Sequence, residues 1–145
     1  MTRDARAAGR DLEMRLSYRH GMAPALQPAT RPGEYPGSGD GTVDGPGLRG
    51  RIRWDLNELV GQTECQVFFS GLVETEDGAT ISFDSLGFGQ VSDPAAAPSR
   101  WDVTAAVRFE SDDPRYGWLT KQPAPWTGEF DMDTYVHRYR IAVPR

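Results

Sequence analysis

The sequence predicts an all-β fold, an antiparallel β-barrel of about seven to nine strands with little helix. Three observations carry that expectation. Residues 65–89, CQVFFSGLVETEDGATISFDSLGFG, set two runs rich in Val, Phe, Ile, Thr and Leu around Asp77-Gly78, a dipeptide suited to a tight hairpin because it tolerates positive φ. Segments 12–18, 101–110 and 130–143 alternate apolar with polar residues at the two-residue period of a half-buried strand. Finally, 16 glycines and 11 prolines in 145 residues punctuate the chain into short elements, and no amphipathic helix of ordinary length is visible.

Residues 1–11 (MTRDARAAGRD) read as a frayed or helical tail, and 12–145 as a single barrel domain of sufficient length to bury a core. Leu12, Met14, Leu16 and Tyr18 form the apolar face of a first strand. Residues 19–41 carry Pro24, Pro28, Pro32 and Pro36 with several glycines, a composition that reads as a long loop. Loops of that length are usually functional covers or disordered, and Met22, Leu26 and Tyr35 favour a partly ordered cover. The segment 41–55, GTVDGPGLRGRIRWD, lacks GxxxxGK[ST] and any following helix signature, so it reads as one strand bent around Asp44-Gly45-Pro46-Gly47 rather than as a phosphate loop. Residues 55–59 (DLNEL) read as one helical turn.

In the central hairpin, a two-residue Asp77-Gly78 loop pairs Thr75 with Thr80, Val73 with Ser82 and Gly71 with Asp84. Phe68, Leu72, Ile81 and Phe83 then share one face, and Val67, Phe69, Val73, Leu86 and Phe88 the other. A ribbon apolar on both faces needs other strands to cover it. Residues 93–99 form a small-residue loop, and Val103, Ala105, Val107 and Phe109 face one side of the next strand. Residues 111–118 make a turn that delivers Tyr116 and Trp118, 121–128 a proline-rich connection, and the last strand aligns Tyr135, His137, Tyr139, Ile141 and Val143.

The net charge of −5 argues against nucleic acid or an anionic membrane as the main partner. The single cysteine, Cys65, excludes an internal disulfide or a multi-cysteine zinc site, and reads as a small buried hydrophobe. No apolar run approaches a membrane span and residues 1–11 lack the apolar core of a secretory signal, so cytoplasm is the default. A two-histidine metal site would need both His20 and His137; no metal and no cofactor are expected.

His137 is the leading candidate for chemistry. It lies between Tyr135 and Tyr139 on an inward face, where a neutral imidazole can exchange a proton and phenols can donate to a developing oxyanion; the plainer alternative is a core histidine bonded to its neighbours. Asp84 is second, because a carboxylate facing the Gly71 gap would be desolvated and raised in pKa; the alternative is a solvated outer aspartate. Tyr116 and Trp118, beside Arg115, would supply an aromatic wall, or merely turn packing. Phe69, Trp101 and Tyr139 complete the expected substrate-contacting set.

Three blocks, GTVDGPGLRGRI (41–52), LVETEDGATI (72–81) and FESDDPRYGWLT (109–120), resemble in order the domain-of-unknown-function family 3237, also catalogued as uncharacterised protein family 0311. The closing YVHRYRI (135–141) fits that family's last strand. The chain departs from it at Thr120, where the family usually has Asn, and at 53–56 (RWDL), where it often has Gly-Gly-Asp-Trp. The resemblance implies a compact antiparallel barrel akin to allene oxide cyclase and dirigent proteins, which hold an apolar small molecule and guide its cyclisation or coupling. The expectation is a cofactor-independent cyclase or isomerase acting on an apolar natural-product intermediate, with His137, Tyr135 and Asp84 as acid–base groups. A non-catalytic carrier or sensor barrel is the alternative, and a homo-oligomer packed through outer apolar residues is a third reading.

Overall fold

The computed structural model describes residues 10–18, 34–93, 95, 100–131 and 133–144. Eight antiparallel strands follow one another around a closed barrel: β1 (Arg10–Tyr18), β2 (Glu34–Gly45), β3 (Leu48–Val60), β4 (Glu64–Thr75), β5 (Thr80–Val91), β6 (Arg100–Glu110), β7 (Ala124–Asp131) and β8 (Val136–Val143). β8 returns to pair with β1, placing Met14 opposite Tyr139 and Leu16 opposite His137. Closure leaves no strand edge, the arrangement by which a sheet with one apolar face buries it completely. A 3₁₀ turn (Pro114–Tyr116) and the four-residue helix α1 (Gly117–Thr120) interrupt the strands between β6 and β7.

Alternation decides the interior. Leu12, Met14, Leu16 and Tyr18 of β1 and Ile52, Trp54 and Leu56 of β3 are buried, as are Tyr139 and Ile141 of β8. Trp54 and Trp126 are each 1 % exposed and sit within a continuous set of ring contacts that includes Phe69 and Tyr139. An eight-stranded barrel is about wide enough for its own side chains or one small ligand.

Several boundaries differ from the sequence expectation. Arg10 and Asp11, assigned to the tail, open β1. Residues 34–41, expected to be loop, form the first half of β2. Their small residues are what the neighbouring rings require: a Cβ on Gly37 would lie 2.7 Å from the Tyr18 ring, and one on Gly39 2.6 Å from the Trp54 ring. Residues 19–33, with His20, Met22 and Leu26, lie outside the described residues. The segment 41–55 is a hairpin rather than one bent strand, turning at Pro46-Gly47 with Gly47 at φ +84°, as a type II turn demands of its third residue. Residues 55–59 are strand, not a helical turn, and β7 begins at Ala124 inside the expected connection.

The central hairpin also shifts by one residue. Thr75 N–H donates to the Ala79 carbonyl around a three-residue loop with Gly78 at φ +93°, so Gly71 faces Phe83 and Ser70 faces Asp84. A slip of one register exchanges a strand's faces. Val67, Phe69 and Val73 therefore share the interior with Ile81 and Phe83, while Phe68, Leu72, Leu86 and Phe88 point outward. The room left by Gly71 is taken by the Phe83 ring, whose nearest atom would lie 2.7 Å from a Cβ there.

Candidate functional site

The two ends of the barrel differ in chemistry. At the end where β1 finishes and β8 begins, four polar side chains point inward in sequence: Glu58 Oε1 lies 3.4 Å from the Tyr18 hydroxyl, that hydroxyl 3.3 Å from His137 Nε2, and His137 Nδ1 2.8 Å from the Tyr139 hydroxyl. Strand alternation brings each inward: Glu58 follows Trp54 and Leu56 along β3, and His137 and Tyr139 lie two apart on β8. His137 is 1 % exposed, stacked on Phe130 at 4.2 Å between ring centroids and flanked by Phe69 at 5.2 Å. Neutral imidazole donates from one nitrogen and accepts at the other. With Glu58 ionised, the hydrogen-bond pattern assigns Tyr18 as donor to Glu58, His137 Nε2–H as donor to Tyr18, and Tyr139 as donor to His137 Nδ1.

Burial sets the electrostatics. Desolvation pushes the Glu58 carboxyl up to about 7, against a smaller opposing effect of the Tyr18 hydrogen bond. The same burial pushes His137 down to about 3, so the imidazole is neutral at pH 7. Both phenols are raised, Tyr18 by burial and then by the nearby Glu58 charge. Cys65, buried at the same end, is raised to about 12 by desolvation first and Glu58 second, which keeps it a thiol. Tyr135 adds a strained backbone: its φ is +56°, in the left-handed region that a bulky residue seldom occupies. Its amide donates to the Asp131 carbonyl, and its ring lies edge-on to Tyr18 at 6.3 Å. Farther inside, Ser85 Oγ and Trp126 Nε1 are buried without a hydrogen-bond partner; Ser85 is the cross-strand neighbour of Phe69, and Trp126 stacks on Phe69 at 5.4 Å.

The structure gathers one part of the expected site and disperses the rest. His137, Tyr135, Tyr139 and Phe69 meet at this end, and the partly buried Trp101 packs against the core on the neighbouring rim, opposite Phe130. Asp84 does not join them. It lies on the outer face, with its side chain 55 % exposed, and takes a 3.3 Å ion pair from Arg108, because the hairpin register differs by one residue. Tyr116 and Trp118 belong to the opposite end, where the Tyr116 hydroxyl donates to both Asp77 carboxylate oxygens at 2.7 and 2.8 Å. Arg115 bridges Asp113 and Asp77 there. That cluster latches the 3₁₀ turn and α1 onto the β4–β5 turn. Glu58 and Tyr18 are the members of this buried polar cluster that sequence reasoning did not single out. The signal was the spacing Trp54, Leu56, Glu58, which a helical turn at 55–59 conceals.

With that geometry in place, comparison with known proteins becomes informative. The family model described as "Protein of unknown function (DUF3237)" matches residues 35–139, most of the barrel. The chain belongs to this family. The DUF3237 barrel is also similar to solved structures. A β-barrel-like protein from Acinetobacter baumannii aligns with TM-score 0.69 at 18 % identity, covering 92 % of each chain. A protein of unknown function from Clostridium acetobutylicum aligns with TM-score 0.71 at 15 % identity, covering 90 % of this chain and 95 % of that one. A protein of unknown function from Rhodopseudomonas palustris gives 0.64 at 15 % identity, covering 91 % and 94 %. At such identities the likeness is one of fold. No curated protein matches the chain. Among the described residues no helix of the DUF3237 chain is long and apolar enough to cross a membrane, which says nothing of its strands.

Proposed function

We propose that the barrel takes an apolar small molecule at its Tyr18–Glu58–His137 end and moves a proton within it, as a cofactor-independent isomerase or cyclase. The observation that supports this reading is Glu58, a buried carboxyl raised to about 7 and in hydrogen-bond contact with a phenol. A carboxyl titrating near neutrality takes and returns a proton with similar ease. In the proposed step Glu58 carboxylate removes a C–H proton next to a carbonyl, and the electron pair passes to the carbonyl oxygen as an enolate. The Tyr18 hydroxyl donates to that oxygen, and Glu58 returns the proton to the same carbon or, where a C=C bond is conjugated with the enolate, to that bond's far carbon, as the electron pair leaves the oxygen and the carbonyl re-forms. His137, neutral at pH 7, acts through Tyr18 by holding its hydroxyl rather than as the base. Rings of Trp54, Phe69 and Phe130 around His137 offer an apolar guest contact area.

The test uses 2-tetralone in deuterated buffer, with exchange of its α-protons followed by NMR. Wild-type protein is expected to exceed buffer, with a rate that rises as pH passes through about 7. Glu58→Gln is expected to lose about 10²-fold or more, and Asp84→Asn, on the outer face, to lose nothing. Equal exchange by wild type and Glu58→Gln would sink the acid–base role. Saturable binding with no exchange would instead favour a carrier or sensor.

A further inference from the structure

Two buried donors inside the barrel have no acceptor among the described residues: Trp126 Nε1, in a side chain 1 % exposed, and Ser85 Oγ, in one 6 % exposed. Trp54 shows the contrast, since that equally buried indole donates to the Asp40 carbonyl at 2.9 Å. A buried donor left without an acceptor destabilises a fold, so a pair of them in one place needs a physical reason. Their surroundings bring them together. Trp126 stacks on Phe69 at 5.4 Å between ring centroids and leans on Phe83 at 6.2 Å. Ser85 stands between those two rings on the sheet, opposite Phe69 of β4 and two residues beyond Phe83 on β5. The indole therefore reaches across β6 to the Ser85 position.

Beside this pair runs a stretch of small residues in the lumen wall. The register carries one row from Glu58 through Val67, Gly87 and Ala105 to Trp126, four strands on and so half-way round the barrel. Rings fill the places beside Gly37, Gly39 and Gly71. At Gly87 the atoms nearest an added Cβ belong instead to the next strand, the Ala105 methyl at 2.5 Å and the Thr104 carbonyl at 2.6 Å. Ala105 alternates inward with Val103 and Val107 yet is only partly buried.

We infer that Trp126 Nε1–H and Ser85 Oγ–H form a second polar anchor of the lumen. It takes one uncharged acceptor oxygen, a carbonyl or an ether, of an otherwise apolar ligand seated against Gly87 and Ala105. The inference rests on the proposed function for the ligand's place inside the barrel, not for its chemistry. The donors select the class. Indole offers a hydrogen and no lone pair, so the group it meets is an acceptor. Among the described residues the inward positions of β4 to β7 carry no cation, so a carboxylate or phosphate would be buried there without a counter-charge. A water would bring two hydrogens of its own, with Ser85 Oγ the one side-chain acceptor beside it; a carbonyl or ether oxygen has none to place. A molecule reaching from Glu58 to this anchor carries two oxygens separated by an apolar body, as in a keto ether or a diketone.

The test compares 6-methoxy-2-tetralone with 2-tetralone, the same skeleton without the far oxygen, by proton–nitrogen NMR of the isotope-labelled full chain. The Trp126 indole N–H signal is the one absent from Trp126→Phe. In wild type it is expected to move downfield, saturably, with the methoxy ketone and not with 2-tetralone. The methoxy ketone is expected to bind roughly fivefold more tightly. Ser85→Ala removes only a hydroxyl and keeps the test decisive should Trp126→Phe fold poorly; its preference is expected to fall to about twofold or less. Equal affinity of wild type for the two ketones overturns the anchor, as does an indole signal unmoved at about 10 mM methoxy ketone. A preference that survives both variants overturns it too, and so does a water still in nuclear Overhauser contact with that N–H when the ketone is bound. Exchange of α-protons on the same samples reads the chemistry separately: the anchor stands if exchange is absent, and the chemistry stands if the preference is.

Discussion

At the β4–β5 end, Asp77 accepts from Thr75 and Tyr116 and faces Arg115, and its carboxyl is held below the ordinary aspartate range by those hydrogen bonds first and the guanidinium after them. At the other end, Glu58 meets one phenol at 3.4 Å and has no ion pair among the described residues, and burial pushes its carboxyl up to about 7. The residue types are nearly the same: a carboxylate and a tyrosine, with a basic side chain close by. The difference is water and partners. A half-exposed carboxylate with several donors is a latch, fixed in one charge state across the physiological range. A desolvated one with a single donor is poised between two charge states, at a cost in stability that a mere latch would not carry.

The largest expected way to disturb that contrast lies at the latched end. Leu119 of α1 is 1 % exposed beneath the Tyr116–Asp77 cluster. Leu119→Ala is expected to cost about 3 kcal/mol in denaturant unfolding, with proton exchange at Glu58 retained in whatever fraction remains folded; loss of exchange at full folding would show that the two ends are not separable.

The pH dependence of stability sharpens the comparison next. Glu58 has a folded pKa of about 7 against an ordinary 4.5, so the folded state holds the extra proton in that window and stability falls as pH rises through it. His137 has a folded pKa of about 3 against an ordinary 6.5, so the unfolded state holds the extra proton and stability rises with pH. Between pH 4.5 and 6.5 the two slopes oppose one another, each about 1.4 kcal/mol per pH unit. Wild type is expected to be nearly flat there. His137→Phe is expected to expose the falling slope, losing about 3 kcal/mol from pH 4.5 to 7, and Glu58→Gln the rising one. Parallel wild-type and variant profiles would refute the assignment.

The smallest effect is that of Tyr116→Phe, expected to lower the thermal unfolding midpoint slightly at pH 7 through loss of the hydrogen bond to Asp77. Because the Asp77 carboxyl is depressed in the fold, that contribution is present above the ordinary aspartate pKa and disappears as pH falls through the lower folded value. Thermal unfolding of the variant should therefore converge on wild type in acid, with no change across pH 4.5–7. A deficit that persists in acid would point to lost packing instead.

Much of the fold was legible because strand alternation is a local signal. The inward sets on β1, β6 and β8 follow from the two-residue period alone, and His137 with Tyr139 follows with them; the expected single strand 130–143 is instead the end of β7 and β8, with Tyr135 in the turn between them at φ +56°. What failed were features decided by distant parts of the chain. Glycine and proline at 34–41 suggest a loop until the Tyr18 and Trp54 rings across the barrel explain why that strand must be small. Asp77-Gly78 marks the turn correctly, yet loop length depends on whether Thr75 closes on Ala79, and that single residue carried Asp84 from the interior to the surface. Glu58 was missed for a related reason: a carboxylate is ordinarily a surface residue, and only its Tyr18 partner, 40 positions away, shows how it is accommodated inside.

Pairing of β1 with β8 has a consequence for how the barrel assembles. Every other neighbouring pair of strands is also consecutive in sequence, so those contacts close short loops and form early; Leu16 and His137 meet only after the intervening chain is in place. The Tyr18–His137 hydrogen bond spans that final seam. In a refolding experiment, tyrosine and histidine signals from this contact should arrive in the last kinetic phase, after the hairpins have gained their circular dichroism. The residues proposed to handle the proton would thus be assembled only in molecules whose barrel has closed.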